Sequence, residues 1–148
     1  MIQRIQSIWL LLAAITILCL LVVPVMSASS NNVQFVLNAM GINGTNAVNA
    51  VNYPLLISVI LAGLISLVNI FNFRNRTLQK RVASLNILLI LGLSFWLSQL
   101  GKQLPGGLEN SSMGAGLFLP LLAVIFTLLA IRGIKNDEKL IRSADRLR

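Results

Sequence analysis

The sequence predicts an all-α protein: an integral membrane four-helix bundle with a short cytoplasmic amphipathic helix at the C-terminal side. Three observations point there. Hydrophobic residues make up 56% of the 148 positions and charged residues only 11%, against roughly 25% charged in a soluble domain. Four runs are long, apolar and almost free of charge, as membrane spans are. The basic residues gather in short segments beside those runs. Four spans use more than half of the chain, so the expected organisation is one bundle over 1–133 and a juxtamembrane helix over 134–148.

The first span is expected at about 8–26, with Trp9 at the interface and Pro24 near the outer end, where it finishes or kinks the helix. Small residues at Ser27, Ala28 and Ser29 also resemble a signal-peptide cleavage region. The apolar run is longer than the usual h-region of roughly 7–15 residues, which favours a retained helix. The second span, about 54–73, opens on Pro54, a residue suited to a first helical turn. The third covers about 82–100, and the fourth about 115–132, closed by Arg132 and Gly133.

Orientation follows from the connecting segments. Arg4 precedes the first span, Arg74, Arg76, Lys80 and Arg81 follow the second, and Arg132, Lys135, Lys139, Arg142, Arg146 and Arg148 follow the fourth. On the opposite side only Lys102 is basic. The positive-inside rule places both termini in the cytoplasm. The same placement accounts for the net charge of +8 through membrane lipid rather than nucleic acid.

The loop from Ser27 to Tyr53 has no charge and many asparagines, which favour turns. Within it Val33, Val36, Leu37 and Met40 suit a surface helix, while Val33, Phe35 and Leu37 alternate as a strand does. Both readings stand on the sequence. The other outer link contains Leu104-Pro105-Gly106-Gly107, a turn signal.

Chemistry is sparse. The chain has no histidine, and its single cysteine, Cys19, reads as a small buried hydrophobe. Neither metal-ligand spacing nor an activated nucleophile is present in the spans, so no cofactor, metal or enzymatic activity is expected. Inside the spans, Ser58, Ala62 and Ser66 put small side chains on one helix face beside Gly63, and Asn69 and Asn86 are suited to bonds between helices. These five are candidate packing residues.

The tail, GIKNDEKLIRSADRLR, carries Leu140, Ile141, Ala144 and Leu147 as a narrow helical stripe. Asp137 and Glu138 lie near its start and Arg146 and Arg148 near its end, as a helix dipole favours. Asp137, Glu138, Arg142, Asp145 and Arg146 are candidate docking contacts for another membrane or membrane-associated protein, with Arg74, Arg76, Lys80 and Arg81 as a neighbouring basic face. The function expected is a non-enzymatic accessory or scaffold subunit. The alternative is a small transporter or channel for a neutral or lipid-like solute, lined by Thr16, Ser58, Ser66, Asn69, Asn86, Ser94, Ser98 and Thr127.

The opening Met1-Ile2-Gln3-Arg4-Ile5-Gln6-Ser7, the Asn75-Arg76 pair with Gln79, and the closing Asp137 to Arg148 resemble an uncharacterised family of small four-helix inner-membrane proteins of the Bacteroidota. The resemblance covers essentially the whole chain and implies four spans with the first helix retained. It implies no activity.

Overall fold

The computed structural model describes residues 3–30, 33–44, 50–103 and 111–145. Four helices run through it: α1 (Gln3–Cys19), α2 (Tyr53–Phe71), α3 (Arg76–Lys102) and α4 (Leu119–Asp145). α1 packs between α2 and α4, and α3 closes the ring against the same two neighbours. Apolar Ile17, Val59, Ala62, Ile90, Leu93 and Ala123 meet in the centre.

Three of the helices are long and apolar enough to cross a membrane, and no more than 33% of the spanning window is buried in any of them. Leucine, isoleucine and phenylalanine face outward along all three, while Ser66, Asn69, Asn86 and Thr127 are buried inside. Polar groups inside and apolar groups outside suit a lipid solvent. The first helix is shorter than the sequence suggests. It tightens into i→i−3 bonds at Leu20, Leu21 and Val22 and ends well before Pro24. The stretch expected to finish that span instead leads into a strand.

The fold is therefore not all-α. Five strands, β1 (Met26–Ser30), β2 (Val33–Asn38), β3 (Gly41–Gly44), β4 (Ala50–Val51) and β5 (Ser111–Met113), form an antiparallel sheet in the order β4-β3-β2-β1-β5. The strand reading of the outer loop is the one adopted. Met26, Ala28 and Leu37 turn toward a small core with Phe35, Ile42 and Leu100, while Ser27, Ser29 and Gln34 alternate away from it. Such alternation marks a half-buried antiparallel sheet. Gly41 follows the Ala39-Met40 turn at φ 127°, a backbone conformation glycine tolerates best.

The sheet is sewn to the helix ends by backbone bonds. Ala39 N donates to Leu20 O, Val25 N to Leu37 O, and Gly114 N to Val25 O at 3.2, 2.8 and 2.9 Å. Gly114 and Gly116 lie so close to Pro24 that an added Cβ would sit 2.2 and 2.7 Å from its carbonyl oxygen. Any other residue there collides with backbone.

At the opposite end α4 runs unbroken to Asp145. The expected stop at Gly133 does not occur, and among the described residues no separate tail helix follows the fourth span. Gly133 lies against Gln6 of α1, with an added Cβ 3.0 Å from Gln6 Cγ, so this glycine makes room for a neighbour rather than ending a helix. The Leu104–Gly107 turn and residues 146–148 lie outside the described residues.

Candidate functional site

The short link between α2 and α3, the start of α1 and the far part of α4 meet at one end of the bundle. Asn75 begins α3 by accepting a bond from Leu78 N at 3.3 Å, as an N-cap does. One turn on, Gln79 Nε2 donates to Asn69 O at 3.2 Å while Asn69 Nδ2 donates to Gln79 O at 3.1 Å. This reciprocal pair locks the α2–α3 corner. Deeper along the same seam, Asn86 Nδ2 donates to Ser66 Oγ at 2.7 Å.

On the α1–α4 side, Gln6 Nε2 donates to Asp137 Oδ2, and both side chains are buried. Asp137 Oδ1 is buried with no bonding partner. A carboxylate held this way, by a neutral amide, keeps a strong interest in its one donor. On the α3–α4 side Lys80 Nζ meets Glu138 Oε2 at 2.7 Å. Its side chains are one quarter exposed, so the pair is partly shielded from water.

This arrangement divides the residues expected to dock a partner. Asp137, Glu138 and Lys80 bond within the chain. Arg81 is exposed and Arg76 half-buried, with one guanidinium nitrogen buried and unbonded. Arg74, Arg142 and Asp145 lie on described backbone, and Arg146 falls outside the described residues. The projecting part of α4 does present two large apolar side chains, Leu140 at 55% and Ile141 at 46% exposure.

The candidate packing residues are placed along the α2–α3 and α1–α2 seams. Ala62, Ser66, Asn69 and Asn86 are buried, and Gly63 meets Leu18 of α1. Ser58 is half-buried and donates to Leu55 O of its own helix. Among the residues expected to line a solute path, Thr16, Ser94 and Thr127 likewise donate to carbonyls of their own helices. Such back-bonding is the usual solution for a hydroxyl inside a membrane helix. Trp9, expected at the interface, stacks on Phe126 of α4 with ring centroids 5.8 Å apart.

Neither Gln6 nor Gln79 is expected from the sequence as a site residue. Each is a long polar side chain four residues into its helix, with Ile5 preceding Gln6 and Leu78 preceding Gln79. That placement is the one signal available for them.

Two concave surfaces lie at the sheet end. A polar groove of about 300 Å³ runs along β1 and β5 between Ser27, Ser29, Gln34 and Ser112, and a pocket of about 40 Å³ sits among Val25, Ser94, Leu97, Leu117 and Pro120. No group of three potential metal-ligating side chains occurs among the described residues.

Apolar outer faces, polar side chains buried inside and a sheet across one end define a small helical membrane protein. The chain belongs to the family described as Domain of unknown function (DUF4293), whose model matches residues 2–147. No curated protein matches the chain.

Proposed function

We propose that the protein is a non-enzymatic accessory or scaffold subunit of a membrane assembly, held in a bacterial inner membrane with both termini in the cytoplasm. In this reading, which extends to the Bacteroidota by the resemblance noted above, the charged end of the bundle is the cytoplasmic one. The observation that carries the proposal is the projecting end of α4. It continues as helix past the Lys80–Glu138 pair and exposes Leu140 and Ile141 beside charged neighbours. An apolar pair on a helix beside charged groups is the kind of surface that meets another protein.

The bonded interior supports this reading over transport. Asn86 Nδ2 donates to Ser66 Oγ, and Thr16, Ser58, Ser94 and Thr127 bond their own helix backbones, while Asn69 Oδ1 and Asn86 Oδ1 stay buried without a partner and Ser94 borders only the pocket of about 40 Å³. A solute path needs such groups turned toward a shared cavity. The proposed docking residues are the exposed Leu140 and Ile141 together with the exposed Arg81; Arg74, Arg76, Arg142, Asp145 and Arg146 remain charged candidates from the sequence. Asp137, Glu138 and Lys80 hold α4 in place beneath it.

The test is crosslinking in native membranes, followed by mass spectrometry of the intact chain and of a Leu140→Ser, Ile141→Ser variant. A partner recovered with the first and lost with the second, at equal membrane level, supports docking. The same proteins recovered from both remove this surface from consideration.

A further inference from the structure

The outward face of α4 changes character along a single line. Leu121, Ile125 and Leu128 are exposed on it, and Arg132, Lys135 and Lys139 continue the same stripe at steps of four, three and four residues. These steps keep side chains on one helix face. The apolar part belongs to a helix long and apolar enough to span a membrane, so its outward face meets acyl chains. Directly beyond acyl chains lie headgroups.

We propose that Arg132, Lys135 and Lys139 form an outward-facing site for the phosphate of an anionic phospholipid, whose acyl chains lie along Leu121, Ile125 and Leu128. The three cations span about 10 Å along the helix at 1.5 Å per residue. That is somewhat more than the depth of one headgroup layer, about 5–8 Å, a difference that the long flexible side chains span. Arg132, the deepest, reaches the phosphate level by extending its side chain outward, as arginines near helix ends do.

The neighbouring acids do not compete. Asp137 is turned inward to Gln6, and Glu138 is paired with Lys80 of α3. Lys135, Lys139 and Arg132 are exposed and carry no hydrogen bond or ion pair among the described residues. The internal use of the acids is what leaves this stripe positive. A protein occupant is disfavoured here because the stripe is continuous with the lipid-facing surface, unlike Leu140 and Ile141, which lie further out.

The test uses the full chain reconstituted in phosphatidylcholine vesicles holding trace spin-labelled phosphatidylglycerol or spin-labelled phosphatidylcholine. The motionally restricted fraction measures association at the protein surface. The expected preference for phosphatidylglycerol is about fivefold or more, the size one or more surface cations supply. It falls toward equality in Arg132→Gln, Lys135→Gln, Lys139→Gln and is unchanged in Lys102→Gln, a cation on the other end.

No preference in the native chain overturns the proposal, as does a preference that survives the triple substitution. Equal loss in Lys102→Gln also overturns it, since the effect would then be general charge. If the triple variant does not refold, Lys135→Gln alone must lower the preference about twofold; an unchanged value overturns the site. Displacement of the labelled lipid by inorganic phosphate, but not by chloride at equal ionic strength, reassigns the stripe to a soluble anion and overturns the lipid reading.

Discussion

The two ends of the bundle are held by different physics. At the charged end, helices are joined by side chains: Gln6 to Asp137, Lys80 to Glu138, and Asn69 with Gln79. At the sheet end, they are joined by backbone, through five antiparallel strands and bonds from Gly114 and Gly116 to Val25 and Pro24. A side-chain tie is local and replaceable. A backbone tie depends on how closely two chains approach, so a single methyl group can undo it. The apolar contacts differ as well. Within the spans, burial exchanges lipid for protein and gains mainly dispersion, whereas Leu37, Met26 and Ala28 form a core beneath the sheet against the end of α3 at Leu100.

The largest effect is expected at the sheet end. Gly114→Ala puts a methyl 2.2 Å from Pro24 O, and the strand must move or the structure is lost. A cost of more than about 3 kcal/mol follows, since such backbone clashes belong to the severe class. Thermal unfolding in mild detergent measures it against Gly92→Ala, where an added Cβ meets nothing within 4 Å. Equal stability of the two variants would mean that the close approach is not what holds this end.

At the charged end Gln6→Leu leaves Asp137 buried without its donor, at an expected cost of about 1–3 kcal/mol. Adding Asp137→Leu should recover most of it, because removing both partners costs less than orphaning one. A double-mutant cycle reads the coupling directly. Additive losses would show that the two side chains do not act as a pair.

Asn86→Leu removes the bond to Ser66 in the seam between α2 and α3, for about 0.6–2 kcal/mol. Hydrogen exchange in that seam should rise while the sheet stays protected. The smallest effect belongs to Lys80→Gln. Its partly exposed pair with Glu138 supplies at most about 1 kcal/mol, and the difference should shrink in high salt. A salt-independent loss would point to packing by the lysine stem instead of charge.

Much of the bundle was legible in the sequence because hydrophobic periodicity and charge placement are local signals. The long apolar runs around Tyr53–Phe71, Arg76–Lys102 and Leu119–Asp145 correspond to three helices. The basic segments do converge at one end, since the ties from Gln6, Lys80 and Gln79 bring α1, α2, α3 and α4 together there. The all-α expectation failed on the loops. Val33, Phe35 and Leu37 carried the strand pattern, but the partner that makes β1 and β5 a ladder lies 85 residues away at Ser27 and Ser112. Non-local pairing has no signature within a short window.

Glycine misled in the same way. Gly133 after Arg132 reads as a helix stop, yet α4 continues and the glycine admits Gln6. Asp137 and Glu138 read as free docking charges until α1 and α3 are placed beside them.

By itself the sequence determined that the chain is largely membrane helix, where three of those helices lie, and which segments share a charged end. Composition and period suffice for this because each residue's preference for lipid or water acts on its own. The sheet, the early end of α1, the continuous α4 and the pairing of its acids were decided only by tertiary structure. Each depends on two distant segments meeting, and which partner a buried amide, carboxylate or strand edge finds is a property of the packed chain.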